Sequence, residues 1–183
     1  LHNHHDVHRR LPPGGFTDHA PIGNGSWGYG SSWLVFILPY VDQANLYNRL
    51  TFEGGSGWGY SAVNNAWQAD GATIDNYVCP SSPLEKVAEY PFQDRSLVAA
   101  SYVGISGAVD GLIPNARHAE WLHGGYAVDC CSGGIGASNG MLYGGGFVKF
   151  AEVTDGLTNT FAVGETSDFL TTLDGTRRDY RSS

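Results

Sequence analysis

Residues 144–165 read GGGFVKFAEVTDGLTNTFAVGE, and the expected fold is built outward from them. Phe147, Lys149, Ala151 and Val153 alternate with Val148, Phe150 and Glu152, the period of two of a strand whose two faces differ. Thr154, Asp155 and Gly156 supply turn chemistry, because Asp bonds the backbone just ahead of it and Gly accepts positive φ. Residues 158–163, TNTFAV, are rich in β-branched and aromatic side chains and read as a returning strand that Gly164 ends. The expectation is a β-hairpin whose first strand, 147–153, offers an edge for pairing between copies.

Around this stretch the composition is that of a folded domain. The 183 residues are 42% hydrophobic, 13% aromatic and only 15% charged, which separates them from disordered chains and fits one domain better than two. The 26 glycines predict many turns and few long helices. A net charge of −8 argues against nucleic acid as a partner, since phosphate binding rests on Lys and Arg. The sequence contains no apolar run of about 18 residues that would span a membrane. Cys79, Cys130 and Cys131 have no zinc-site spacing. They leave open one bridge, from Cys79 to Cys130 or Cys131, or three buried thiols, with a strained bond between the adjacent Cys130 and Cys131 in third place.

The first ten residues, LHNHHDVHRR, hold four of the seven histidines. On a helix His4 and His8 share a face, as do His5 and His8, the arrangement by which paired imidazoles grip Zn or Ni; a role in capping the helix exit is the alternative. Pro12, Pro13, Gly14 and Gly15 stop the helix. Residues 17–32 read as loop and contain a glycosylation-type sequon, Asn24-Gly25-Ser26. Leu34, Ile37, Leu38, Val41 and Leu46 recur at nearly helical spacing around Pro39, predicting a short strand or turn and then a helix over 40–50. Trp58, Tyr60 and Trp67 sit in a Gly-rich stretch, 51–70, as stacking platforms or as a roof over the core. Strands are expected over 76–80 and 101–109, and a loop insertion over 110–140.

No constellation points to catalysis, and the chain is expected not to be an enzyme. Ser106 lies in Gly104-Ile105-Ser106-Gly107, one residue short of a nucleophile elbow. His118, Glu120 and His123 lack the spacing of a zinc peptidase, and the glycines of 124–136 lack the Lys of a phosphate loop. Asp155 and Glu165 have adequate structural roles without being a glycosidase pair. Asp155, Thr158 and Asn159 bring carboxylate, hydroxyl and amide oxygens to one short turn, a candidate Ca²⁺ site.

The block FVKFAEVTDGLTNTFAVGE also resembles one found in a large family of secreted planctomycete proteins that carry a prepilin-type N-terminal methylation helix and a pseudopilin-like outer domain. Four further blocks match that family in order: LHNHHDVHRRLPPGG at 1–15, SWLVFILPYVDQANLYNRL at 32–50, YVCPSSP at 77–83 and SYVGISG at 101–107. The resemblance implies an α+β, β-rich, pilin-like outer domain with an antiparallel sheet, one or two short helices and long Gly-rich loops. Residues 1–183 would form this single domain, with 1–15 the exit of the stem helix, and membrane contact would come only through a helix preceding it. The family's stem helix and its His-Pro-Gly-Gly C-terminal stretch are not in this sequence, which is expected to be trimmed at both ends. The implied function is structural: self-assembly into an extracellular filament or cell-surface structure. Trp58, Tyr60, Trp67 and Tyr143 are the expected contact surface, because aromatic residues are enriched in interface cores. A glycan-binding module using Trp27, Trp58, Tyr60, Trp67 and Trp121 is the second expectation, and a metal-dependent hydrolase using the histidines the third.

Overall fold

The computed structural model describes residues 1–16, 31–52, 65–90, 95–108, 118–119, 122–123, 126–127, 136–179 and 181. The chain begins in helix α1 (His2–His8), which ends where Arg9 takes the left-handed conformation (φ 59°) and donates its N–H to the His5 carbonyl at 2.6 Å. This is the usual way a helix terminates, although here the residue is not glycine. Leu11, Pro12 and Pro13 follow as a run that is almost wholly buried. Two prolines bring no N–H to satisfy, so only Leu11 needs a partner, and its N–H donates to the Val148 carbonyl at 2.7 Å.

Strand β1 (Gly15–Phe16) pairs antiparallel with β2 (Ser31–Ser32). Helix α2 (Trp33–Ile37) follows directly and buries Trp33, Val35, Phe36 and Ile37, apolar nearly all round as an interior helix must be. A 3₁₀ turn at Leu38–Tyr40 with Pro39 in its first positions leads through Asp42 (φ 60°) into the single turn of α3 (Ala44–Tyr47). Helix α4 (Asn65–Ala69) is held by Asn65, whose side chain accepts from the Thr51 N–H at 2.9 Å and donates to the Thr51 carbonyl at 2.8 Å.

The remaining strands form separate two-stranded antiparallel pairs: β3 (Val87–Tyr90) with β4 (Arg95–Val98), β5 (Tyr102–Gly104) with a strand near the C-terminus, and three short pairs. Of the latter, β6 (His118–Ala119), β7 (Leu122–His123), β8 (Tyr126–Ala127) and β9 (Gly136–Ala137) pair as β6 with β9 and β7 with β8. The partner of β5 is β10 (Val163–Glu165), and β11 (Leu170–Thr171) closes a hairpin with β12 (Arg177–Arg178). The fold is therefore α+β and β-rich, with small antiparallel sheets and short helices.

One core draws together α2, α3, α4 and β4. Leu11, Trp33, Val35, Ile37, Leu38 and Leu46 meet Ala66, Ile74, Tyr77, Leu97, Met141 and Leu142 in a single buried cluster. Tyr77 is 4% exposed and its hydroxyl donates to the Leu34 carbonyl at 2.5 Å; burial pushes its phenol above the ordinary range. Near the C-terminus, the Arg181 guanidinium, 2% exposed, donates to the Ala99 carbonyl at 2.8 Å, the Glu85 carbonyl at 2.6 Å and the Asp179 carboxylate at 2.7 Å.

The hairpin expected over 147–163 does not form. Residues 143–148 run beside 11–15, with the Gly145 N–H donating to the Gly15 carbonyl at 2.8 Å and Gly15 bridging Gly144 in parallel. Phe147 packs against Phe16 at 5.4 Å with the Arg10 guanidinium over its ring at 4.2 Å. Phe150 turns into a 3₁₀ helix (Phe150–Glu152), at whose start the Glu152 carboxylate accepts the Lys149 N–H at 2.8 Å. A second 3₁₀ turn (Leu157–Asn159) follows Gly156, and the chain then pairs with β5 instead of with itself. Aromatic contacts with the first sixteen residues thus override the local period of two, and 147–153 offers no strand edge.

Other local expectations shift for similar reasons. The strand or turn before Pro39 is helix α2, the helix over 40–50 shrinks to α3, and the strand over 76–80 is a 3₁₀ turn (Asp75–Tyr77). Helix α4 falls inside the stretch read as aromatic loop. The strand over 101–109 keeps only Tyr102–Gly104, because Gly107 sits at φ 124°.

Candidate functional site

Helix α1 sorts its histidines onto different contacts. His5 stacks on Phe150 (centroids 3.7 Å, planes 10° apart), and His2 meets the same ring edge-on at 5.1 Å. The His5 Nε2 accepts the Phe150 N–H at 3.3 Å, so this pair fastens the helix to the segment that follows Phe147. His4 and His8, one turn apart, lie with ring centroids 4.3 Å from each other, and both approach Tyr40 edge-on, at 5.7 and 6.4 Å. His4 is 7% exposed and its Nδ1 lies 3.0 Å from the Arg10 carbonyl. A carbonyl only accepts, so Nδ1 carries the proton and Nε2 presents a lone pair. Burial lowers the His4 pKa to about 4, against the Arg10 carbonyl bond that favours the charged form and together with repulsion from His8.

The second candidate surface is at the corner of α4 and β4. Trp67 is 60% exposed, and the Arg95 guanidinium lies 4.7 Å from its ring centroid. Asp70 holds that guanidinium at 3.0 Å and accepts the Ser96 N–H at 2.9 Å. The Ser96 bond first, and Arg95 second, keep the Asp70 carboxyl below the usual range. Arg95 is thereby fixed against the indole, which presents an ordered, exposed aromatic plate.

The remaining expected residues are placed apart from these two. Tyr143 is half-buried and its ring lies against Gly146, where an added Cβ would come within 2.2 Å of Cζ. It is a packing residue on the 143–147 turn. Asp155, Thr158 and Asn159 are exposed, and Asn159 Nδ2 donates to the Asp155 carbonyl at 3.0 Å. Cys79 is free and half-buried; its N–H donates to the Ser101 hydroxyl at 3.0 Å. Bonds from Ser167 and then from the Cys79 thiol lower the Glu165 pKa. The partners Cys130 and Cys131, the sequon residue Asn24, and Trp27, Trp58, Tyr60 and Trp121 lie outside the described residues, as do Glu120 and the side chains of His118 and His123. Among the described residues no three His, Cys, Asp or Glu side chains converge to hold a metal, and no helix is long and apolar enough to cross a membrane.

Sequence reasoning found the His4–His8 spacing but missed the Phe150 stack and the Arg95 clamp on Trp67. Neither pair is close in sequence, and no local pattern announces them.

A mixed α+β domain, anchored on a buried helix exit and carrying a histidine face and an exposed indole, is the class these features define. The chain belongs to the family described as "Protein of unknown function (DUF1559)", which matches residues 1–183. No curated protein and no solved structure matches it.

Proposed function

We propose that this chain is a non-enzymatic structural domain, the outer domain of a secreted pseudopilin-like subunit of the planctomycete type, working outside the cell or at its surface by assembling with copies of itself. The observation that supports this reading is the anchoring of α1. Leu11, Pro12 and Pro13 are almost wholly buried behind the helix, His5 stacks on Phe150, and Leu11 is bonded to Val148. A stem helix entering through α1 would be coupled rigidly to the domain core, which a filament subunit requires if its outer domain is to hold a fixed orientation.

The contact between copies falls best on Trp67 and on the exposed apolar residues around the β5–β10 pair. There Phe161 is 84% exposed, Leu157 42% and Val103 37%, all next to a sheet of only two strands. Aromatic residues are enriched at interface cores, and short sheets leave edges that a second copy can extend. A head-to-tail contact of this kind does not close and yields a fibre. Electron microscopy and small-angle scattering of the chain at high concentration are expected to show open assemblies, with Trp67→Ala weakening association about tenfold or more. Monomers at every concentration, unchanged by Trp67→Ala, would overturn the reading.

The ordered indole favours a second reading, a glycan-binding surface module, because a flat ring fixed by Arg95 stacks on a sugar face at little entropic cost. Glycan-array binding that disappears in folded Trp67→Ala would replace assembly with this function.

A further inference from the structure

Helix α1 uses its four histidines unequally. His2 and His5 are committed to Phe150, and His5 spends its Nε2 on a backbone N–H. His4 and His8 face each other on another side of the helix, and neither of their Nε2 atoms is assigned to a protein bond among the described contacts.

We infer that His4 and His8 form a two-imidazole site for a late first-row divalent transition metal ion, Cu²⁺, Ni²⁺ or Zn²⁺. Three observations carry it. The first is spacing: residues four apart on a helix stand on one face, one turn above the other. The second is separation. Two Nε2 atoms at about 2.0–2.1 Å from one metal and at a right angle to each other set their ring centroids roughly 4.5 Å apart. The His4 and His8 centroids are 4.3 Å apart, close to that separation, and the His8 ring is exposed.

The third observation is orientation. Metal-binding imidazoles almost always donate their other N–H to a carbonyl or carboxylate, which fixes the tautomer and aims the lone pair. His4 already makes this bond, Nδ1–H to the Arg10 carbonyl at 3.0 Å, with the ring held 7% exposed beside Tyr40. The buried ligand is therefore preorganised, and the exposed one is free to close. Imidazole nitrogen is a borderline donor that suits Cu, Ni and Zn over Ca or Mg. With two protein ligands the ion keeps open positions, to be filled by water or by a side chain of a neighbouring molecule. The site is independent of the assembly reading.

The test is calorimetric titration of the untagged chain with NiCl₂ and, separately, ZnCl₂ in a buffer that does not coordinate metal. One ion per chain is expected, and the melting temperature should rise with the metal. His8→Ala is expected to weaken binding at least about tenfold and to abolish the rise, while His2→Asn and His5→Asn leave both within about twofold. Since the buried His4 contributes to packing, His4→Phe is the matching variant: it keeps an aromatic ring, removes the nitrogens, and should lose the ion with the fold retained by circular dichroism. In the Cu²⁺ complex, electron paramagnetic resonance should count two equatorial imidazole nitrogens in the native chain and one in His8→Ala. Binding that survives His8→Ala, or that is lost instead in His2→Asn or His5→Asn, would overturn the inference.

Discussion

Gly14→Ala is expected to lower the stability of the chain by about 3 kcal/mol or more, while Gly15→Ala, one residue away, should cost under about 1 kcal/mol. A Cβ on Gly14 would lie 2.2 Å from the Leu142 carbonyl oxygen, 2.5 Å from its carbon and 3.0 Å from the carbonyl carbon of Tyr143. All three are backbone atoms, so no side chain can swing aside. Gly14 is also bonded on both sides, its N–H to the Tyr143 carbonyl at 3.0 Å and its carbonyl to the Trp33 N–H at 3.1 Å. Relief would have to break one of these bonds or move the buried Leu142. At Gly15 an added Cβ meets nothing within 4 Å. Urea unfolding of the two variants checks the contrast, and equal midpoints would show that the close crossing of 14 and 142 is not as tight as described.

The second large effect is expected at Asn65. Its side chain is 1% exposed and reads both backbone groups of Thr51, accepting from the N–H and donating to the carbonyl. Asn65→Asp keeps the acceptor but turns the donor into a second oxygen facing the Thr51 carbonyl. At pH 7 the variant must bury a charge against that oxygen or bind a proton, and either costs about 3 kcal/mol. The pH dependence identifies the cause. The carboxyl introduced there has a folded pKa above its unfolded value near 3.9, so the deficit is small below about pH 4, where the protonated acid donates as the amide does. It grows as pH rises, until the folded-state group also ionises. Chemical denaturation of native and variant chains at pH 4 and pH 7 should show the gap widening with pH; a gap independent of pH would mean that the loss is one of packing.

How much of this was legible in the sequence depends on the range over which each feature is decided. The class was legible through the five blocks of family resemblance, while the many glycines by themselves gave only abundant turns and few long helices. Residues 144–165 were rightly seen as central, but for the wrong partner. Phe147 and Phe150 find Phe16, Arg10 and His5 more than a hundred residues earlier, and Val163 finds Gly104, so long-range pairing replaced the hairpin suggested by Asp155-Gly156. Helix α2 was illegible for a different reason. Trp33, Val35, Phe36 and Ile37 are all buried, and a helix that is apolar all round has no 3.6-residue pattern to read. The histidine spacing was readable because i and i+4 are local. The carbonyl that aims His4 was not, since nothing in LHNHHDVHRR says that Arg9 turns left-handed and brings Arg10 back to His4.

The lacing of α1 to Phe150 has a consequence for the order in which the molecule is made. His5 and Phe150 are 145 residues apart, and Leu11 waits for Val148 in the same way. At synthesis rates of about 5–20 residues per second, α1 exists for roughly 7–30 seconds before Phe150 has been polymerised. During that interval Leu11, Pro12 and Pro13 have no Val148 segment to lie against, and His2 and His5 have no Phe150 ring to pack on. Completion of residues 142–150 then acts as a timer: a nascent chain halted before Met141 would carry α1 without the Phe150 stack and the Val148 bond.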